Sequence, residues 1–169
     1  MNSAEIAKWT VAAAFAGVLL VAAAVDIRSR RIPNLTVAML ILVYVAANLL
    51  QVSPTVWWGG LAAAAITLAI TYALYHFGIV GAGDAKLMSA GALFAGLEGL
   101  SLFALMTVLV GGVMAVGVIA LNPKRALRGM TAAGRADGHG RGIPYGVAIA
   151  IGGIVSQVII PGGLGAALR

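Results

Sequence analysis

The sequence predicts an all-α membrane protein, a bundle of about six transmembrane helices in which the fourth is short and both termini lie outside the cytoplasm. Three observations predict it. The chain is 62% hydrophobic and only 9% charged, with a mean hydropathy of +1.03, a balance foreign to soluble globular domains. Its apolar runs recur at lengths near the roughly 20 residues that cross a hydrocarbon core. Its basic residues gather in alternate connections between those runs. Six spans and short links fill the 169 residues, so residues 1–169 are expected to form a single transmembrane domain without a separate soluble one. The net charge of +6 then reads as topology and contact with anionic lipid, not as nucleic-acid binding. A count of zero cysteines excludes disulfides, thiolate metal sites and cysteine nucleophiles.

The first run, Trp9 to Val25, is rich in alanine and uncharged, with Glu5 and Lys8 before it and Asp26-Ile27-Arg28-Ser29-Arg30-Arg31 after it. Trp9 suits an interfacial anchor. The run lacks a small-residue cleavage site and other spans follow, so it is expected to be a retained helix. Pro33 holds Ile32 extended, and Asn34 is predicted to cap a second helix over about Leu35 to Leu50. A polar link, Gln51 to Thr55 with Pro54, leads to Trp57-Trp58 and a third run that continues to Phe77, with Tyr72, Tyr75 and His76 near its far end.

After Gly81-Ala82-Gly83-Asp84, apolar sequence extends from Ala85 to Leu121, interrupted at Glu98-Gly99. At 1.5 Å per residue that is about 55 Å, too long for one crossing. A short fourth helix, Ala85 to Leu97, and a full-length fifth, Leu100 to Leu121, are therefore predicted. The link Asn122 to Gly142 carries Lys124, Arg125, Arg128, Arg135 and Arg141 among small residues. The sixth run, Ile143 to Ile160, opens on Ile143-Pro144-Tyr145-Gly146, where proline suits a first helical turn. A glycine-rich tail follows.

With six crossings, one face receives nine basic residues: Arg28, Arg30, Arg31, Lys86, Lys124, Arg125, Arg128, Arg135 and Arg141. The other receives Lys8 and Arg169. This asymmetry assigns the first face to the cytoplasm, and it places Asp26 and Asp84 at cytoplasmic helix ends of similar depth.

An ionisable side chain costs roughly 2.5–3.5 kcal/mol at the bilayer centre and is usually kept for a task. Taken singly, Asp26 reads as a juxtamembrane charge beside its arginines and Asp84 as a helix N-cap. At matched depth they read as a catalytic pair. Two carboxylates in a partly dry site do not both ionise cheaply and tend to share a proton. Such a pair offers a base to activate water and an acid to protonate a leaving amine, the chemistry of an aspartic peptidase. Gly81 and Gly83 permit unusual backbone angles and close approach of a substrate strand, and the amides opening the helix at Asp84 favour negative charge. Lys86 either tunes Asp84, holds a substrate carboxyl or snorkels as an anchor. His76 and His139 share no ligand spacing, so no metal or cofactor is expected. Gly91, Ala95, Gly111 and Gly112 read as helix packing. Two other classes remain open: a small proton-coupled transporter that uses the aspartates as a relay, and a non-catalytic assembly subunit. The sequence sets no oligomeric state.

Gly81-Ala82-Gly83-Asp84 with Ala85-Lys86-Leu87 resembles the signature of the GxGD intramembrane aspartic peptidases. Asp26 followed by Arg30-Arg31-Ile32-Pro33-Asn34, and Ile143-Pro144-Tyr145-Gly146, resemble two further segments of their type IV prepilin peptidase branch. The resemblance implies that Asp26 and Asp84 are catalytic, with Gly81, Gly83, Lys86, Pro144, Tyr145 and Gly146 in support. It also implies a multi-pass protein of the inner (cytoplasmic) membrane whose active site faces the cytoplasm. The implied substrate is a prepilin with a short basic leader, cut just before its hydrophobic helix for pilus or Tad-type secretion assembly. Larger members carry a segment with paired cysteines linked to methylation. This chain has no cysteine and is similar to the small Flp/Tad-type enzymes, so N-methyltransferase activity is not expected. Archaeal preflagellin peptidases share the two aspartates and are the nearest alternative.

Overall fold

The computed structural model describes residues 2–121 and 144–160, in which helices are joined by short connections and no strand occurs among the described residues. Five helices lie there: α1 Ser3–Ser29, α2 Asn34–Leu49, α3 Trp57–His76, α4 Ala82–Leu121 and α5 Tyr145–Ile159. By length and composition α1, α3 and α4 are suited to cross a membrane, while α2 and α5 are shorter apolar helices. Leu20, Leu42, Ile70 and Val113 point outward, all more than half exposed, as befits a protein whose solvent is lipid. Ile143, the basic link Asn122 to Gly142 with its arginines, Asp137 and His139, and the tail ending at Arg169 lie outside the described residues.

Local chemistry sets each boundary, and in places moves it from where hydropathy alone puts it. α1 begins at Ser3, not Trp9. Asn2 Oδ1 accepts from the Ala4 N–H and the Asn2 N–H donates to Glu5 Oε2, both at 2.9 Å, a reciprocal capping box. The helix outlasts its apolar run and closes at Arg30, which takes φ 54° and donates its N–H to the Asp26 carbonyl. Asn34 is the first residue of α2 and not its cap: Pro33 occupies the cap position without a side-chain bond. The Asn34 side-chain oxygen instead accepts from Lys86 Nζ.

The largest correction concerns the long apolar stretch. The chain breaks at Gly96, not at Glu98-Gly99, and α4 consists of two arms, 82–95 and 97–121. Gly96 takes φ 61° and ψ −177°, a region essentially restricted to glycine. The arms fold back on one another, because a β-carbon at Gly91 would lie 3.0 Å from Phe103 Cζ. In a straight helix those residues would stand about 18 Å apart. The break frees two carbonyls that lipid cannot satisfy. Thr55 Oγ1 donates to Leu93 O at 3.2 Å and Gln157 Nε2 to Phe94 O at 2.8 Å. Glu98, which hydropathy marked as the interruption, is an exposed residue within the helix.

Around the break sits the core. The Phe15 ring packs on Phe94 with centroids 4.4 Å apart, and Tyr44 meets the same ring edge-on at 5.4 Å. Tyr44 Oη also donates to Trp57 O at 3.0 Å, tying α2 to the start of α3. α5 runs antiparallel to the second arm of α4: built β-carbons at Gly111 and Gly152 would lie 2.8 Å from Tyr145 Oη and 2.7 Å from the Thr107 nitrogen. It runs antiparallel to α1 as well, with Gly153 on Leu19 and Gly146 on Asp26.

The Gln157 brace yields a stability prediction. Gln157→Leu leaves the buried Phe94 carbonyl without its donor and is expected to cost about 1–3 kcal/mol. A clear fall in apparent melting temperature of the detergent-solubilised protein checks it, and an unchanged value means that the break does not depend on Gln157.

Candidate active site

α1 packs antiparallel on α5 and beside α2, and both of those helices pack on α4, an arrangement that brings three helix ends together: the last turn of α1, the first turn of α4 and the first turn of α5. Asp26 comes from the first of these and is buried, 5% exposed. Asp84 comes from the second and is half-buried. Asp26 is near enough for its charge to act on Asp84. The two acidic residues thus converge at one end of the bundle.

Each carboxylate is held by a backbone amide at a helix start. The Gly81 N–H donates to the Asp84 carboxylate, while the Gly81 carbonyl accepts the Ala85 N–H at 3.0 Å. Asp84 therefore lies in the first turn of α4 and reaches back to the residue before it, instead of acting as the N-cap itself. Asp26 Oδ2 accepts the Gly146 N–H at 2.8 Å. Buried anions without such partners are expensive.

The small residues around the pair are occupied from within the chain. A β-carbon at Gly81 would lie 2.8 Å from Asp84 Oδ2, and one at Gly83 would lie 3.2 Å from Ile32 Cβ. The space beside Gly83, expected from the sequence to admit a substrate strand, is filled here by the α1–α2 link, so entry of a strand at that point requires Ile32 to move. Lys86 is exposed, and its Nζ donates to Asn34 Oδ1 at 3.2 Å. With the Ile32–Gly83 contact, this bond lays the α1–α2 link across the first turn of α4. Pro144 immediately precedes α5 and takes the cap position, with φ −70° and ψ 85°, one step earlier than a first-turn proline. Tyr145 is half-buried with its hydroxyl against Gly111. Of the eight residues singled out from the sequence, Asp26, Asp84, Gly81, Gly83 and Gly146 meet at this end of the bundle, with Lys86, Pro144 and Tyr145 on its border.

Ile32 and Asn34 were not picked out as parts of the site by sequence reasoning. Their signal was their place in the Arg30-Arg31-Ile32-Pro33-Asn34 segment that carries part of the family resemblance, where singly they read as backbone punctuation. His76 stands at the exposed end of α3 with its ring 6.0 Å from Phe77, and His139 lies outside the described residues.

In chemical terms the site offers two carboxyl groups, one deeply buried and one half-open, with backbone donors behind both. A model of the type IV leader peptidase family matches residues 13–116, which include both aspartates. No curated protein and no solved structure matches the chain.

Proposed function

Since the chain belongs to the type IV leader peptidase family and is a multi-pass membrane peptidase, we propose that it is an aspartic endopeptidase whose working pair is Asp26 and Asp84. The observation that carries this reading is the convergence of those two carboxylates, one closing α1 and one opening α4, with a backbone amide behind each. One carboxylate takes a proton from a water held between them as that water attacks the scissile carbonyl carbon. The partner, protonated, gives its proton to the leaving amine as the C–N bond breaks. The leader departs with a new carboxyl terminus and the mature chain with a new amino terminus.

The substrate is a type IV, Flp-like prepilin, whose basic leader lies at the cytoplasmic face of the inner membrane while its hydrophobic helix stays in lipid. The asymmetry of basic residues supports this orientation, and so does the fold-back of α4, which divides the described helices into six segments. Gly83 comes within reach of the scissile strand when Ile32 withdraws, and Lys86, Pro144 and Tyr145 border the mouth. Anionic lipid contacts the basic links, and no methyl transfer accompanies the cut.

Incubating the purified protein in lipid nanodiscs with a leader-bearing prepilin should yield two products whose intact masses locate one cut just before the hydrophobic helix. Cleavage of a preflagellin but not of a prepilin would reassign the substrate. Proton flux across proteoliposomes without any cleavage would replace the peptidase reading with a relay.

A further inference from the structure

The end of α1 is an unfavourable place for a carboxylate. Aligned peptide dipoles leave partial negative charge at a helix C-terminus, and Asp26 lies there, buried. Its compensation comes from α5, outside the segment that the family model matches. Gly146 is the second residue of α5, so its N–H has no intrahelical carbonyl to bind. The next amide, Val147 N–H, turns back to Pro144 O at 3.1 Å. Gly146 N–H instead crosses 120 residues of sequence to Asp26 Oδ2.

Only glycine brings that amide so close. A β-carbon at position 146 would sit 2.9 Å from Asp26 Oδ2 and 3.0 Å from Asp26 Cβ, inside ordinary contact distance. The turn is anchored from the other side by Tyr145, whose hydroxyl fits against Gly111 on the second arm of α4. Asp84 differs, because its amide partner Gly81 belongs to its own turn and moves with it.

We propose that Gly146 is a positioning residue for peptide cleavage: its N–H fixes Oδ2 of Asp26 and so aims Oδ1 at the water shared with Asp84. Asp26 is thereby the fixed member of the pair and Asp84 the adjustable one. The inference rests on the aspartic-peptidase reading above and adds α5 to the machinery.

Two experiments test it on the full chain in nanodiscs. Gly146→Ala should lower kcat for prepilin cleavage by about 100-fold, the loss expected of a reacting group misplaced by about 1 Å, with KM within about threefold. A kcat within about threefold of wild type, or a rise in KM that accounts for the loss, overturns the proposal. The second experiment leaves position 146 untouched and follows hydrogen exchange of the Gly146 amide by NMR of glycine-labelled protein. Asp26→Asn keeps an oxygen acceptor and should keep the amide protected, whereas Asp26→Ala should speed exchange by about tenfold or more. Equal exchange in wild type and Asp26→Ala overturns the proposal, and this pair decides if Gly146→Ala does not fold. An active wild type with an equally active Gly146→Ala sinks the positioning role alone. A wild type that cuts no leader sinks the peptidase reading, and the catalytic purpose of the contact with it.

Discussion

Asp26→Asn and Asp84→Asn are each expected to abolish leader cleavage, and the double variant should be no worse than either single one. A positioned acid or base contributes roughly 10²–10⁴-fold to a rate, and groups that act as one unit lose most of their joint effect when either is removed. Asparagine makes this a clean comparison. It preserves side-chain shape and retains an oxygen to accept from Gly146 at position 26, or from Gly81 at position 84. Folding should therefore survive, as read by elution profile and apparent melting temperature, and uncleaved prepilin should still be captured. A single variant that processes prepilin at near wild-type rate would remove that aspartate from the chemistry. Partial loss in each single variant that multiplies in the double would point to two independent roles instead of one shared water.

The membrane class and the helical architecture were legible because burial in lipid demands them: a chain this apolar has to satisfy its backbone within helices or closed barrels, and its runs had helical length. Asp26 and Asp84 stood out because carboxylates are scarce here and both adjoined helix ends on the same predicted face. What hydropathy missed was set by hydrogen bonds that no average captures. Asn2 and Glu5 start α1 a turn and a half before the apolar run. Asn34 does not cap α2, because its amide oxygen is taken by Lys86, 52 residues further on. The break in the long stretch was assigned to Glu98 because a charge interrupts an apolar pattern, yet a glutamate is compatible with a helix facing outward. Gly96 breaks it by backbone angle, and the pattern carries no trace of that choice. Gly146 was visible as part of a motif, but its partner was not, since only tertiary packing brings α5 onto Asp26.

Gly96→Ala is expected to be strongly destabilising, for two separable reasons. The first is conformational: φ 61° with ψ −177° costs a residue with a β-carbon about 1–3 kcal/mol. The second is steric: the new β-carbon would lie 2.6 Å from Thr55 Cγ2, and overpacking of that kind costs about 1–3 kcal/mol. Thr55→Ser separates them, because it deletes the offending methyl while keeping the hydroxyl that donates to Leu93 O. In a Gly96→Ala/Thr55→Ser double variant the steric part should be recovered and the conformational part should remain, so its melting temperature should fall between those of Gly96→Ala and the wild type. Activity should follow a different course. The first arm of α4 carries Asp84 at its far end, about 18 Å from the break at 1.5 Å per residue, so a few degrees of rotation at Gly96 displaces the carboxylate by about 1 Å, enough to cost about 100-fold in rate. Gly96→Ala should therefore lose more activity than its loss of folded protein explains, with Asp26 still protecting the Gly146 amide. A variant that melts and cuts like wild type would show that the fold-back of α4 is imposed by its neighbours and not by the backbone freedom at position 96.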